Sequence, residues 1–132
     1  DVYKRQVIYR LAEMYLFKAE AYAALNQTPQ AIIELNRVRD RAKIGTYSGS
    51  TNKIAVEKEI LNERARELYL ERKRWPDLLR FHYGGTIDVY QEVPNLKKKV
   101  DDNIIIPLYL AIPLSDININ PNLKQTQGYE NL

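Results

Sequence analysis

The chain has 132 residues, 45% hydrophobic and 28% charged, a balance ordinary for one globular domain. Its net charge of +3 comes from 20 basic and 17 acidic residues that are interleaved, which argues against the basic stripe of a nucleic-acid binder. With no cysteine, disulfides, thiolate metal sites and cysteine nucleophiles are excluded, and no apolar run approaches the ~20 residues of a helical membrane span.

The chain opens on DVYKRQ without a methionine, so a piece of a longer protein is expected. Residues 1–6 resemble the translation of sequencing-adapter DNA and are read as non-native. From about Val7 to Leu25, Ile8, Leu11, Ala12, Tyr15, Ala19 and Tyr22 recur at helical spacing and define the expected inward face. Asn26-Gln27-Thr28 ends this helix. Thr28 then serves as N-cap for a second one, with Pro29 at its first position, where a missing N–H costs nothing. That helix runs to about Lys43 with Ala31, Ile32, Leu35 and Val38 inward, and Ile44-Gly45 closes it. Tyr15, Ala19, Tyr22, Ala31, Leu35 and Val38 fall in the register of a tetratricopeptide-like pair, in which small residues allow close approach and tyrosines fill the gap to the next pair. An ordinary helical hairpin would share the turn but not all six positions.

Thr46 to Asn52 is a polar loop, after which one helix is expected from Lys53 to Arg74. Pro76 either kinks that helix or starts a short separate one through Phe81, which Gly84-Gly85 ends. The stretch Thr86 to Asn103 has no clear period and reads as loop, with Lys97-Lys98-Lys99 a solvated run balanced by Asp101 and Asp102. Beyond it, Ile104 to Ile106 and Leu108 to Ile112 are short apolar pieces broken by Pro107 and Pro113. Ser115 can cap one helical turn, Asn120-Pro121 marks a bend, and 104–132 is expected to be an extended strap lying along the helices.

The stretch ERARELYLERKRWPDLLR, Glu63 to Arg80, concentrates charge around the single tryptophan. Glu63, Glu67 and Glu71 repeat every four residues and would share one helical stripe, whereas glycosidase carboxylates must flank the scissile bond from opposite sides at ~5–9.5 Å. A di-metal helix needs Glu-x-x-His, and His82, the only histidine, lies outside this stretch and reads as a surface or cap residue. No Gly-x-Ser-x-Gly or glycine-rich phosphate loop is present. No catalytic or metal residue and no cofactor is therefore assigned. The structural reading pairs the acids with arginines: Arg66 with Glu63, Arg74 with Glu71, Arg64 with Glu67, and Arg37, Arg39 and Arg41 from the second helix. Leu61, Ala65, Leu68, Arg72 and Trp75 would form a seam ending at the tryptophan.

The same stretch resembles the signature of SusD-like (RagB/SusD) proteins at Glu63, Arg64, Glu67, Leu68, Glu71, Arg74, Trp75, Asp77, Leu78 and Arg80. Arg72 departs from it, because the family often has glycine there. YRLAEMYLFKAEAYAALNQTPQAIIELNRVRDRA resembles the family's preceding helical pair, and LAIPLSDININPNLKQTQGY its ending, with Asp116 in place of glutamate and Gln127 where proline is common. The resemblance implies an all-α fold and a single C-terminal piece of a longer protein. Its parts would be a tetratricopeptide-like hairpin over 7–44, charged signature helices over 53–82 and the strap over 104–132. It further implies a lipid-anchored, surface-exposed outer-membrane protein that binds glycans or other nutrients, works with a SusC-like TonB-dependent transporter and is not an enzyme. Tyr47, Tyr83 and Tyr90 are the tyrosines least committed to packing, and no ligand-binding residue is assigned. The runner-up is a free-standing tetratricopeptide-like module that binds a peptide. Helices missing upstream would leave apolar surface exposed.

Overall fold

The computed structural model describes residues 8–102 and 106–129. The non-native reading of residues 1–6 and the apolar pair Ile104-Ile105 of the strap lie outside these. Among the described residues the fold is all-α, with no strand. The chain divides into two compact units, Asp1–Ile87 and Asp88–Leu132.

The first unit holds α1 (Leu11–Ala24), α2 (Thr28–Ala42), α3 (Lys53–Glu67) and α4 (Arg74–Tyr83). The turn between α1 and α2 places Asn26 in the left-handed region, φ +60°, where asparagine is tolerated. Gln27, not Thr28, is the N-cap of α2, so Thr28 and Pro29 occupy its first turn, where no intrahelical donor is needed. Lys43 closes α2 at φ +56°, two residues before Gly45 at φ +81°. Asn52 caps α3, its Oδ1 accepting from the Ile54 N–H at 3.0 Å.

The core of this unit is built from Leu16, Ala19 and Ala23 of α1, Ala31, Leu35 and Val38 of α2, Val56, Ile60 and Leu61 of α3, and Leu78 and Phe81 of α4. The predicted face of α2 is the buried one, although Ile32 is only half-buried. The predicted face of α1 is not. Ile8 and Leu11 are 71% and 67% exposed, Tyr15 and Tyr22 are half-buried, and Leu16 and Ala23 take the interior positions with Ala19. Because α1 packs on both α2 and α3, two neighbours set its rotation. Burying the alanines lets the backbones approach, and Glu13 turns inward toward a cation from α3.

The helix expected over Lys53 to Arg74 ends at Glu67, and of the two courses open at Pro76 the chain takes the separate short helix. An unbroken helix would press the Pro76 ring against the Arg72 carbonyl. The chain instead leaves α3 after Glu67, passes through Leu70 at φ +64° and Arg72 at φ +59°, and re-enters a helix at Arg74, with Pro76 in its first turn. Here the glycine of the family pattern has a plain physical reason: residue 72 sits where L side chains are disfavoured. Gly84 caps α4 and Gly85 follows at φ +79°, as the glycine pair predicts.

The second unit holds α5 (Val89–Glu92), α6 (Pro94–Asp101) and α7 (Leu114–Ile119). The stretch expected as loop from Thr86 to Asn103 is thus helical over Val89–Glu92 and Pro94–Asp101. Asp88 caps α5 by accepting from the Tyr90 N–H at 3.1 Å, and the lysine run lies in exposed positions of α6. Such short helices carry too few turns for a readable period. The tail keeps its irregular course apart from α7, whose N-cap is Pro113, not Ser115. Side chains tether it to itself. The Gln125 amide accepts from the Ile112 N–H at 2.8 Å and donates to the Ile112 carbonyl at 3.0 Å, while the Thr126 hydroxyl donates to the Leu110 carbonyl at 2.9 Å.

Candidate functional site

The break between α3 and α4 brings the charged signature together. Arg64 and Asp77 are 13 residues apart, which on one straight helix would separate them by roughly 20 Å. The turn returns the chain so that Arg64 Nε donates to Asp77 Oδ2 at 2.9 Å, with both side chains buried. Arg64, only 1% exposed, also pairs with Glu13 of α1 at 3.4 Å, and Lys73 reaches the same carboxylate at 3.3 Å. Asp77 Oδ1 accepts from Arg80 at 2.9 Å, and Arg80 makes a bidentate pair with Glu20, two bonds of 2.9 Å. The guanidiniums of Arg64 and Arg80 lie 4.3 and 5.3 Å from the Phe17 ring centre, so one aromatic backs both cations. The Glu20 hydrogen bond, opposed by burial and aided by the charges of Glu20 and Asp77, raises the Arg80 pKa above its already high ordinary value.

A second set of pairs ties α2 to α3. Arg39 donates to Glu59 and Glu63, each at 3.0 Å, and Arg66 reaches the same two carboxylates at 2.6 Å. Glu67 accepts from Arg41 at 2.7 Å and from Arg10, which also donates to Glu71 at 2.9 Å. Burial opposes the Arg10 charge, yet the hydrogen bonds to Glu67 and Glu71 outweigh it and raise its pKa. The sequence-predicted pairs therefore divide. Arg66 with Glu63 forms, and Arg39 and Arg41 engage the stripe as expected. Arg64 turns to Asp77 and Glu13 instead of Glu67, Arg74 donates to the Leu61 carbonyl at 3.2 Å instead of pairing Glu71, and Arg37 pairs with Glu34. Glu71 lies beyond the end of α3, so the three acids do not share one stripe.

Trp75 does not end a buried seam. It is 40% exposed at the start of α4, because the break turns the chain before the seam reaches it. Sequence reasoning missed Arg10, Glu13, Phe17, Glu20 and Lys73. Glu13 and Glu20 lie seven residues apart, and with Leu16 between them this heptad spacing is the signal that could have found the buried polar face.

Of the tyrosines held to be least committed, Tyr47 gives its hydroxyl to the Ser50 carbonyl at 2.9 Å, and its ring covers Gly49 so closely that an added Cβ would sit 2.5 Å from its oxygen. Tyr90 lies in α5 and donates to the Ile106 carbonyl at 3.0 Å. Tyr83 is exposed in the last turn of α4, edge-on to His82.

Beside the lattice, the end of α3, the turn and the start of α4 enclose a cleft of about 550 Å³. Ala65, Leu68 and Leu70 give it an apolar lining, and Tyr69, Arg72 and Arg74 stand on it as exposed residues. Among the described residues no cluster of histidine and carboxylate side chains is arranged to hold a metal. No described helix is long and apolar enough to cross a membrane.

A sequence profile described as the SusD family matches residues 3–129. The starch-binding protein SusD of Bacteroides thetaiotaomicron is 35% identical over 128 residues, which cover 93% of this chain and 21% of that protein. SusD-like protein P38 of Formosa agariphila is 31% identical over 131 residues, 93% of this chain and 24% of the relative. SusD-like protein P25 of the same organism is 30% identical over 130 residues, again 24% of its own length. The chain thus spans under a quarter of the curated relatives it matches. No solved structure matches it. The profile runs through the seven helices of the described residues and the ion-paired break between α3 and α4, and the chain belongs to the SusD family.

Proposed function

We propose that these 132 residues are the C-terminal scaffold part of a cell-surface, nutrient-binding lipoprotein that captures glycans for a SusC-like, TonB-dependent outer-membrane transporter. The observation that carries the reading is the family match over residues 3–129, the stretch that contains the whole ion-paired lattice. In this reading the chain is one C-terminal piece: a hairpin over 7–44, signature helices over 53–82 and a strap over 104–132. Its role is binding and support, not catalysis. The acids of the signature stretch that an acid–base reaction would need are held by arginines, as Glu63 is by Arg39 and Arg66. The relative named for starch binding supports glycan as the ligand class.

The complete open reading frame and its neighbours test the proposal. A signal peptide with a lipid-accepting cysteine and an adjacent TonB-dependent transporter gene are expected. A cytoplasmic reading frame with neither would overturn it, as would turnover of a glycan by the purified protein.

A further inference from the structure

We propose that the cleft at the α3–α4 break is a subsite for an acidic sugar, with the uronate carboxylate held by Arg72 and Arg74 and a sugar face resting on Tyr69 and Leu68. This deepens the glycan-binding reading above and rests on it. Four observations point to such a ligand. The cleft, at about 550 Å³, falls within the ~300–1,000 Å³ of small-molecule sites. Its lining is apolar at Ala65, Leu68 and Leu70, as suits the C–H face of a pyranose, and Tyr69 is 75% exposed beside it.

The charge is also one-sided. Glu67 and Glu71, the acids nearest in sequence, are already committed to Arg10 and Arg41. Arg72 and Arg74 have no carboxylate partner among the described residues, and Arg74 gives only Nη1 to the Leu61 carbonyl. Guanidinium forks bind carboxylates in bidentate fashion, a geometry that a neutral sugar cannot use. Finally, Lys73 and Arg74 bring the N-terminal end of α4 to the cleft without a side-chain cap, so its partial positive charge adds to that of the arginines. The turn holds this arrangement with two non-glycine residues, Leu70 and Arg72, at positive φ. Glycine at 72 would ease the backbone but remove a cation from the cleft.

Calorimetric titration of the full-length protein, expressed from the complete open reading frame, with an oligogalacturonate and with a malto-oligosaccharide of equal length tests this. The acidic sugar is expected to bind at least about tenfold more tightly, with affinity falling as salt is added. Arg72→Gln/Arg74→Gln should erase that preference, and Tyr69→Ala should weaken binding of both sugars. Circular dichroism checks that the variants fold, and should the double variant fail, Arg72→Gln alone, at an exposed position, carries the test. A neutral sugar bound as tightly as the acidic one, or a preference surviving in folded double variant, overturns the subsite and leaves the glycan reading intact. Binding of neither sugar overturns the subsite, while the glycan reading stands or falls with the reading frame and its neighbours. A Glu/Leu-rich peptide that binds where the oligogalacturonate does not would overturn the sugar in favour of a protein partner.

Discussion

The two units of this chain hold themselves together by different means. In the first, four helices bury a continuous apolar core and set beside it a lattice of carboxylates and guanidiniums, several of them fully buried. In the second, Val89 and Leu96 are the buried apolar residues among those described, and the tail is tied by amide and hydroxyl groups bonded to backbone. A buried charge is costly unless paired, so the first unit specifies its geometry by punishing any other one. Side-chain bonds to exposed backbone are worth about 1 kcal/mol each and specify a path more weakly.

The sharpest way to break that contrast is Asp77→Ala. It leaves Arg64 buried without its closest partner and should cost ~3–5 kcal/mol, read as a lowered denaturation midpoint. A midpoint shift no larger than that of a surface control would show the lattice to be incidental. Glu67→Ala should follow at ~1.5–3 kcal/mol, since the nearly buried Glu67 joins Arg10 to Arg41. Glu71→Ala, where a third-exposed carboxylate meets Arg10 alone, should cost no more than ~1 kcal/mol. Equal losses in the two would mean that burial does not set the scale.

The second unit should respond locally. Gly128 sits at φ +92°, and an added Cβ would come within 2.5 Å of the Pro107 ring. Gly128→Ala is therefore expected to cost ~1–2 kcal/mol and to raise amide exchange at Ile112 and Thr126 while leaving α1 to α4 protected. Exchange rising equally in both units would erase the distinction between them. One effect has the opposite sign. Arg72→Gly relieves a left-handed backbone and should raise the melting temperature by the equivalent of about 1 kcal/mol, where the same change at Arg66, inside α3, should lower it.

The signature stretch shows how far residue patterns reach. Its composition revealed that arginines and carboxylates would pair, and its motif order revealed the family. The pairing scheme follows only in part, because helical spacing carried to Arg74 overruns the actual end of α3 at Glu67. Once the chain breaks at residue 68, Arg64 faces Asp77 and Glu13, and Trp75 leaves the seam. The cleft was not legible at all. It exists only because the turn doubles back, and its lining residues would be spread along the sides of an unbroken helix.

Local chemistry determined the all-α class, the α1–α2 turn, the close of α2, the glycine stop after α4 and the kinship carried by Glu63 to Arg80. Those features depend on proline rings, glycine torsions and periods within one or two helical turns. Tertiary structure alone decided which face of α1 is buried, which acid each arginine takes and where the cleft opens. Each of these is settled by groups distant in sequence, such as Glu20 and Arg80 at 60 residues' separation, whose attraction depends on distance in space.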